Sequence, residues 1–128
     1  MAGFSDYYEN KVIDHMLRNQ AFTPPSTVYV GLFTVAPTDA GGGTEVSGGS
    51  YARQAVTLAA ASAGATQNSA DITFPTATAD WGTIVAAGLF DAASAGNLLA
   101  WNNLTASKTV NNGDTFKISA GSLTISVD

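Results

Sequence analysis

The apolar pattern of the chain begins with one short segment of helical period. Asp6, with Glu9 three residues later, has the spacing of a capping box and is the predicted start of a helix. The helix is expected to end near residue 19, because Pro24 and Pro25 cannot continue it. The apolar residues that recur at spacings of one, three and four, and so share one stripe of this helix, are Tyr8, Val12, Ile13, Met16 and Leu17.

After residue 26 the pattern changes to the alternation and short apolar runs that are typical of β-strands. The first run is apolar on both faces, which predicts a central strand covered on both sides. Gly88 is a candidate β-bulge, and Leu123, Ile125 and Val127 are expected to point inward. The predicted strands occupy 27–34, 51–58, 72–74, 81–90, 98–101, 115–118 and 123–127, and 59–69 is predicted to be a long connection with at most one weak strand.

Several short strands at regular spacing after one helix predict a mainly β protein, with a single β-sandwich or jelly-roll-like domain. The helix is placed at about 6–19 and the sandwich at about 27–128, within one domain of residues 1–128. A chain of 128 residues is long enough to bury a single core.

Composition excludes several classes of function. Charged residues make up 12% of the chain and the net charge is -5, so the basic clusters that bind nucleic acid are missing. No apolar run approaches the length of a membrane span, and the N-terminus is polar within five residues. We therefore expect no nucleic acid and no membrane as partners, and neither a transmembrane protein nor a secretory precursor. The chain has no cysteine, which removes disulfides and thiolate metal sites.

The glycine-rich segment GGGTEVSGGSYARQ, residues 41–54, nearly reproduces the spacing of a phosphate-binding P-loop. In that motif a lysine precedes the final Ser or Thr, and a helix follows whose amides face the phosphate. Here Gly49 stands at the lysine position, Glu45 would repel a phosphate, and the residues after Ser50 have the composition of a strand. Nucleotide binding is therefore excluded on chemical grounds.

Catalytic residues are not expected. His15 is the single histidine, and Asp14 beside it points about a hundred degrees away around the helix, so it cannot orient the imidazole ring. Asp71, Asp80 and Asp91 lie at strand ends, where aspartate more often makes turn hydrogen bonds than it forms a glycosidase pair. The protein is expected to be non-enzymatic and to use no cofactor or metal.

One metal alternative remains open at the glycine-rich segment. Asp39, Glu45 and loop carbonyl groups could converge there around a calcium ion. The spacing of an EF-hand is absent, and one or two carboxylates give weak binding.

Two long segments resemble a widespread family of small bacteriophage virion proteins, whose members are commonly labelled tail fibre proteins or phage structural proteins. They are SDYYENKVIDHMLRNQAFTPPSTVYVGLFTVAPTDAGGGTEVSGGSYARQAV near the start and GNLLAWNNLTASKTVNNGDTFKISAGSLTISVD at the end. The T-E-V-S-G-G-x-Y-A-R segment is the most specific part. The resemblance implies a virion structural protein that is assembled in the cytoplasm of a bacterial host.

Within that class we expect a capsid decoration or cement protein that binds the head surface as a homo-oligomer, with a trimer favoured. Its partners would be further copies of itself and the major capsid protein or other virion proteins. Shortness, the lack of a repetitive shaft and abundant small side chains favour this interpretation. The alternative is a tail fibre, tail-tip or baseplate-associated receptor-binding module.

The glycine-rich loop is the predicted contact surface, because a long ordered loop is usually functional and glycine lets two backbones approach closely. Arg53 is expected to anchor the base of the loop by bonding a carboxylate or a carbonyl group. The predicted subunit or capsid interface consists of Tyr7, Asp39, Gly41, Gly42, Gly43, Glu45, Gly48, Gly49 and Arg53.

Overall fold

A computed structural model describes residues 3–127 of the chain. Within these residues one helix precedes nine strands. They are α1 (Asp6–Leu17), β1 (Val28–Val35), β2 (Thr44–Glu45), β3 (Gln54–Val56), β4 (Ala65–Gln67), β5 (Ile72–Thr73), β6 (Gly82–Phe90), β7 (Leu98–Val110), β8 (Lys117–Ile118) and β9 (Thr124–Ser126). No helix in this part of the chain is long and apolar enough to span a membrane.

The N-terminal helix is capped by Ser5 and not by the predicted Asp6. The Ser5 hydroxyl accepts a hydrogen bond from the Tyr8 amide at 3.3 Å, which satisfies one of the first free N–H groups of the helix. The helix stops before the predicted residue 19. Arg18 has left the helical conformation, and Asn19 has a φ of 55°, the left-handed conformation that commonly follows a helix.

The main sheet has five antiparallel strands, in the order β2-β1-β6-β7, and β3 also pairs with β1. The central position predicted for the first strand is confirmed, since β1 is bonded to β6 on one side and to β2 and β3 on the other. Val30 and Leu32 on this strand are fully buried. Apolar residues on one face of this sheet therefore form the floor of the core.

Two short ribbons cover that face of the sheet, β4 with β9 and β5 with β8. Phe74 and Phe116, which flank the second ribbon, pack edge to face with their ring centroids 5.7 Å apart inside the main apolar cluster. The mainly β class with one N-terminal helix is thus confirmed, and the strands of residues 3–127 do not close into a barrel.

Gly88 is not a β-bulge. It stays in register between Gly31 on β1 and Trp101 on β7, and the irregularities lie on either side of it along β6. A β-carbon at Gly88 would lie 2.8 Å from Leu98 Cδ1 and 3.0 Å from Phe33 Cε1. The position needs glycine because of close packing across the sheet and not because the strand bends.

The last strand of the chain follows its predicted alternation only in part. Leu123 and Ile125 pack against the core, but Val127 is 58% exposed, so the inward orientation predicted for it is wrong. Val127 follows the end of β9, and β9 pairs only with the short β4, so no layer covers it. Asn68, which is 1% exposed, holds this region through hydrogen bonds to backbone groups of Ala70, Ser119 and Leu123.

Candidate functional site

The residues of the glycine-rich segment are organised around one ion pair, between Arg53 and Glu45. Arg53 Nη2 lies 2.8 Å from Glu45 Oε1, and Arg53 Nε lies 2.9 Å from Glu45 Oε2, which is a two-pronged contact. The side chain of Arg53 is 8% exposed and that of Glu45 is 24% exposed. Since little water reaches the pair, it is stronger than an ion pair on the surface.

Arg53 also fixes a second loop, the turn between β6 and β7. Its Nη1 donates hydrogen bonds to the carbonyl groups of Ala92 at 2.9 Å and Ala95 at 2.8 Å. The guanidinium carbon lies 3.5 Å from the centre of the Phe90 ring, a cation–π contact. Arg53 therefore bonds both a carboxylate and carbonyl groups, which confirms its predicted role as an anchor.

Tyr51 completes this arrangement, although the sequence analysis did not select it. Its hydroxyl donates to Glu45 Oε2 at 2.6 Å and accepts from the Leu32 amide at 2.9 Å. Burial of the phenol and its hydrogen bond to Glu45 raise the pKa of Tyr51 far above its ordinary value. Tyr51 thus remains a neutral donor, and we call Glu45, Tyr51 and Arg53 the anchor network.

The predicted interface glycines have two different roles. A β-carbon at Gly43 would lie 2.6 Å from the Val35 carbonyl oxygen, and one at Gly49 would lie 2.9 Å from Trp81 Nε1. Trp81 Nε1 also donates to the Gly49 carbonyl group at 2.9 Å, so both glycines serve the internal packing of the domain. Gly41, Gly42 and Gly48 have open space where a side chain would stand, and they remain available for contact with another molecule.

Asp39 lies in a tight turn between β1 and β2, and it forms a hydrogen bond with the N-terminal segment. Thr38 and Gly41 exchange backbone hydrogen bonds of 2.9 and 2.8 Å across the turn. The Asp39 carbonyl group accepts from the Asp6 amide at 2.8 Å, and its carboxylate accepts from Trp101 Nε1 at 3.0 Å. The start of α1 is therefore held to the first half of the glycine-rich loop.

An open cavity of about 420 Å³ lies between the start of α1 and this loop. It brings together Tyr7, Asp39, Gly41, Gly42, Gly43 and Glu45 of the predicted interface. Gly48, Gly49 and Arg53 are not among its lining residues. Tyr7 does not face fully outward as expected, because it is half-buried and packs against the core. The role of these nine residues as an interface stays a prediction.

The two carboxylates considered for calcium are already engaged. Glu45 bonds Arg53 and Tyr51, and Asp39 bonds Trp101. In the described range, 3–127, no three Asp, Glu or His side chains lie close enough to hold a metal ion. The arrangement is suited to fixing loops and lacks the converging oxygen ligands that calcium needs.

Asp71, Asp80 and His15 make local hydrogen bonds to backbone groups. Asp71 bonds the Ala120 amide at 2.8 Å, and Asp80 bonds the Asn112 amide at 2.8 Å, as expected for aspartates at strand ends. His15 Nδ1 lies 3.0 Å from the Gln20 carbonyl oxygen at the exposed end of α1. The structure does not gather them into one site.

Asp91 is expected to make folding stability depend on pH. Burial disfavours its charged form, but hydrogen bonds from the side chain and amide of Asn97, at 2.9 and 2.7 Å, outweigh burial and lower its pKa. A lowered pKa stabilises the fold above the unfolded value of about 4, and this contribution is lost as the pH falls through the folded value. Urea titrations should therefore show Asp91→Asn as destabilised at pH 7, with the difference from wild type shrinking on acidification below about pH 4.

Asn97→Ala removes the side-chain donor to Asp91, so it should also lower stability at pH 7, by less than Asp91→Asn does. A difference between Asp91→Asn and wild type that stays constant from neutral to acidic pH would contradict this role of Asp91.

The fold and the anchor network together describe a small structural β domain whose charged groups hold loops in place. The model of the family described as Podophage GP4 fiber I protein gp80 matches residues 3–126. The chain therefore belongs to this family of phage fibre proteins and is a structural component of the virion. The suspected phage family is confirmed. No curated protein matches the chain.

Proposed function

We propose that the protein is a non-catalytic subunit of the phage tail fibre. The observation that carries this proposal is the extent of the family match. It runs from residue 3 to residue 126 and so includes the helix and all nine strands of the described chain. The similarity to the fibre family therefore extends over the folded domain and is not limited to one short motif. The match favours the tail-fibre alternative and gives no support to capsid decoration, so we do not carry the decoration hypothesis further.

The non-catalytic part of the proposal rests on how the polar side chains are used. Arg53 and Glu45 are committed to each other and to loop carbonyl groups. Tyr51 is a neutral donor whose hydroxyl already has both an acceptor and a donor partner. A catalytic group needs a free acid, base or nucleophile directed at a substrate, and these residues instead hold loops.

The proposal is tested by locating and counting the protein on purified virions. Immunogold electron microscopy with an antibody to this chain should label the tail and not the head surface. Quantitative mass spectrometry should give a copy number far below that of the major capsid protein. Head labelling at a copy number comparable to that of the capsid protein would overturn the fibre assignment.

A further inference from the structure

The outward face of α1 combines an apolar stripe with unpaired acidic groups. Ile13, Met16 and Leu17 are 50%, 70% and 80% exposed, and they are three of the five large apolar residues that are exposed in the described chain. Glu9 precedes Ile13 by four positions and Met16 by seven, so it lies on the same face one turn earlier. Neither Glu9 nor Asp6 forms an ion pair within residues 3–127.

A groove of about 440 Å³ lies between β7 and the β8–β9 region. It is apolar like the face of α1, but the charged residues that line it are positive. Half-buried and buried side chains form its apolar lining, chiefly Leu89, Leu104, Phe116, Ile118, Leu123 and Ile125. It opens because Leu104 to Ser107 leave the ladder between β6 and β7, where four residues of β7 oppose Val85 alone. The main sheet and the ribbons therefore do not close over this part of the core.

Two lysines line the groove, and only one of them is neutralised. Lys117 Nζ lies 3.3 Å from Asp71 Oδ2, whereas Lys108 has no carboxylate partner among the described residues. Lys108 Nζ instead lies 5.9 Å from the centre of the Phe116 ring, at the apolar lining. The groove thus presents one unpaired positive charge beside an apolar surface, on a chain with a net charge of -5.

We propose that α1 of one copy of the protein binds in this groove of a second copy. Ile13, Met16 and Leu17 would cover the apolar lining, and Glu9 would approach Lys108. The helix segment fits within this edge of the groove. Ala100 and Lys108 pair with Leu89 and Ile84, which are five residues apart on β6, so they are about 17 Å apart along the sheet, and Glu9 and Leu17 are about 12 Å apart along a helix. We infer a second copy as the occupant because the charges are complementary. In the described part of the chain, each copy carries an unpaired carboxylate, Glu9, on the helix face and an unpaired ammonium group, Lys108, in the groove.

This contact joins a helix to a different surface, the groove, and it closes at once as a two-fold dimer if two copies exchange their helices reciprocally. If the exchange is not reciprocal, each copy that donates a helix still offers an empty groove, and the assembly continues until it closes into a ring or grows as a filament. The inference concerns the isolated protein and does not depend on where the protein sits on the particle. It gives the expected homo-oligomer an interface that differs from the glycine-rich loop selected from the sequence.

Charge exchange across the contact provides the test. Sedimentation velocity from micromolar to millimolar concentration should show wild-type protein self-associating. Glu9→Lys and Lys108→Glu should each weaken this association at least about tenfold, because each variant places like charges together. Thermal melts should show both variants folded, since both positions are exposed. Thr23→Lys and Ala60→Glu, at exposed positions outside both surfaces, should associate like wild type.

Mixing the two variants is the decisive experiment. In an equimolar mixture the altered helix of one variant meets the altered groove of the other, and the two unaltered surfaces also meet, so association should return to near the wild-type level. Wild-type protein that stays monomeric at millimolar concentration would overturn the proposal. It would equally be overturned if both variants still associated, which points to another surface, or if the mixture failed to restore association.

Discussion

Replacing Arg53 by alanine is expected to lower the free energy of unfolding by about 3 kcal/mol, near the lower end of the range for breaking a buried ion pair. The lower end applies because Glu45 keeps 24% of its side-chain exposure and some contact with water. The loss arises because Glu45 is left without its cation, and the Ala92 and Ala95 carbonyl groups lose a donor. Urea unfolding followed by tryptophan fluorescence measures this change.

The described residues offer a matched control in a second arginine–carboxylate pair. Arg18 and Asp14 lie 2.8 Å apart on α1, but their side chains are 63% and 42% exposed. Arg18→Ala should therefore cost less than about 1 kcal/mol, as exposed pairs do. Equal losses in Arg18→Ala and Arg53→Ala would show that the anchor network does not stabilise the domain beyond a surface ion pair.

The helix and most strands could be predicted because their apolar residues follow the period of the element they form. The strand β7 could not be predicted in full. Its first part, Leu98–Trp101, is apolar, but 103–109 is mostly small and polar and has no alternation that would indicate a strand. Lys108, Thr109 and Val110 are extended because they pair with β6, and this long-range contact leaves no trace in the local sequence.

Only the part of the candidate site that follows from the chemistry of a single residue could be predicted from the sequence. The chemistry of arginine indicated an anchor at Arg53, but its partner Glu45 and the contribution of Tyr51 depend on how β1, β2 and the loop meet. The T-E-V-S-G-G-x-Y-A-R segment contains all three residues, so their proximity in sequence was the available signal. The groove beside Lys108 gave no such signal, because it is formed by β6, β7, β8 and β9 together.

Gly31→Ala is expected to destabilise the protein by about 2–3 kcal/mol, at the upper end of the usual cost of overpacking. The new methyl group would lie 2.7 Å from Glu45 Oε2, 2.9 Å from Phe90 Cε2 and 3.2 Å from the Tyr51 hydroxyl. It cannot be accommodated without moving the carboxylate that Arg53 and Tyr51 bind. Gly3→Ala is the matched control, since nothing lies within 4 Å of its β-carbon position, and it should leave stability nearly unchanged.

If Gly31→Ala acts through the anchor network, its effect must depend on Arg53. A methyl group that has displaced the Glu45 carboxylate has already broken the ion pair, so removing Arg53 as well can cost little more. The double variant Gly31→Ala/Arg53→Ala should therefore lose clearly less stability than the sum of the single losses, by about 1 kcal/mol or more, because residues in contact are energetically coupled. Urea unfolding of the four proteins in this cycle measures the coupling. Strict additivity would mean that Gly31 is required only by the Phe90 ring, and that the close approach of β1 to Glu45 does not position the anchor.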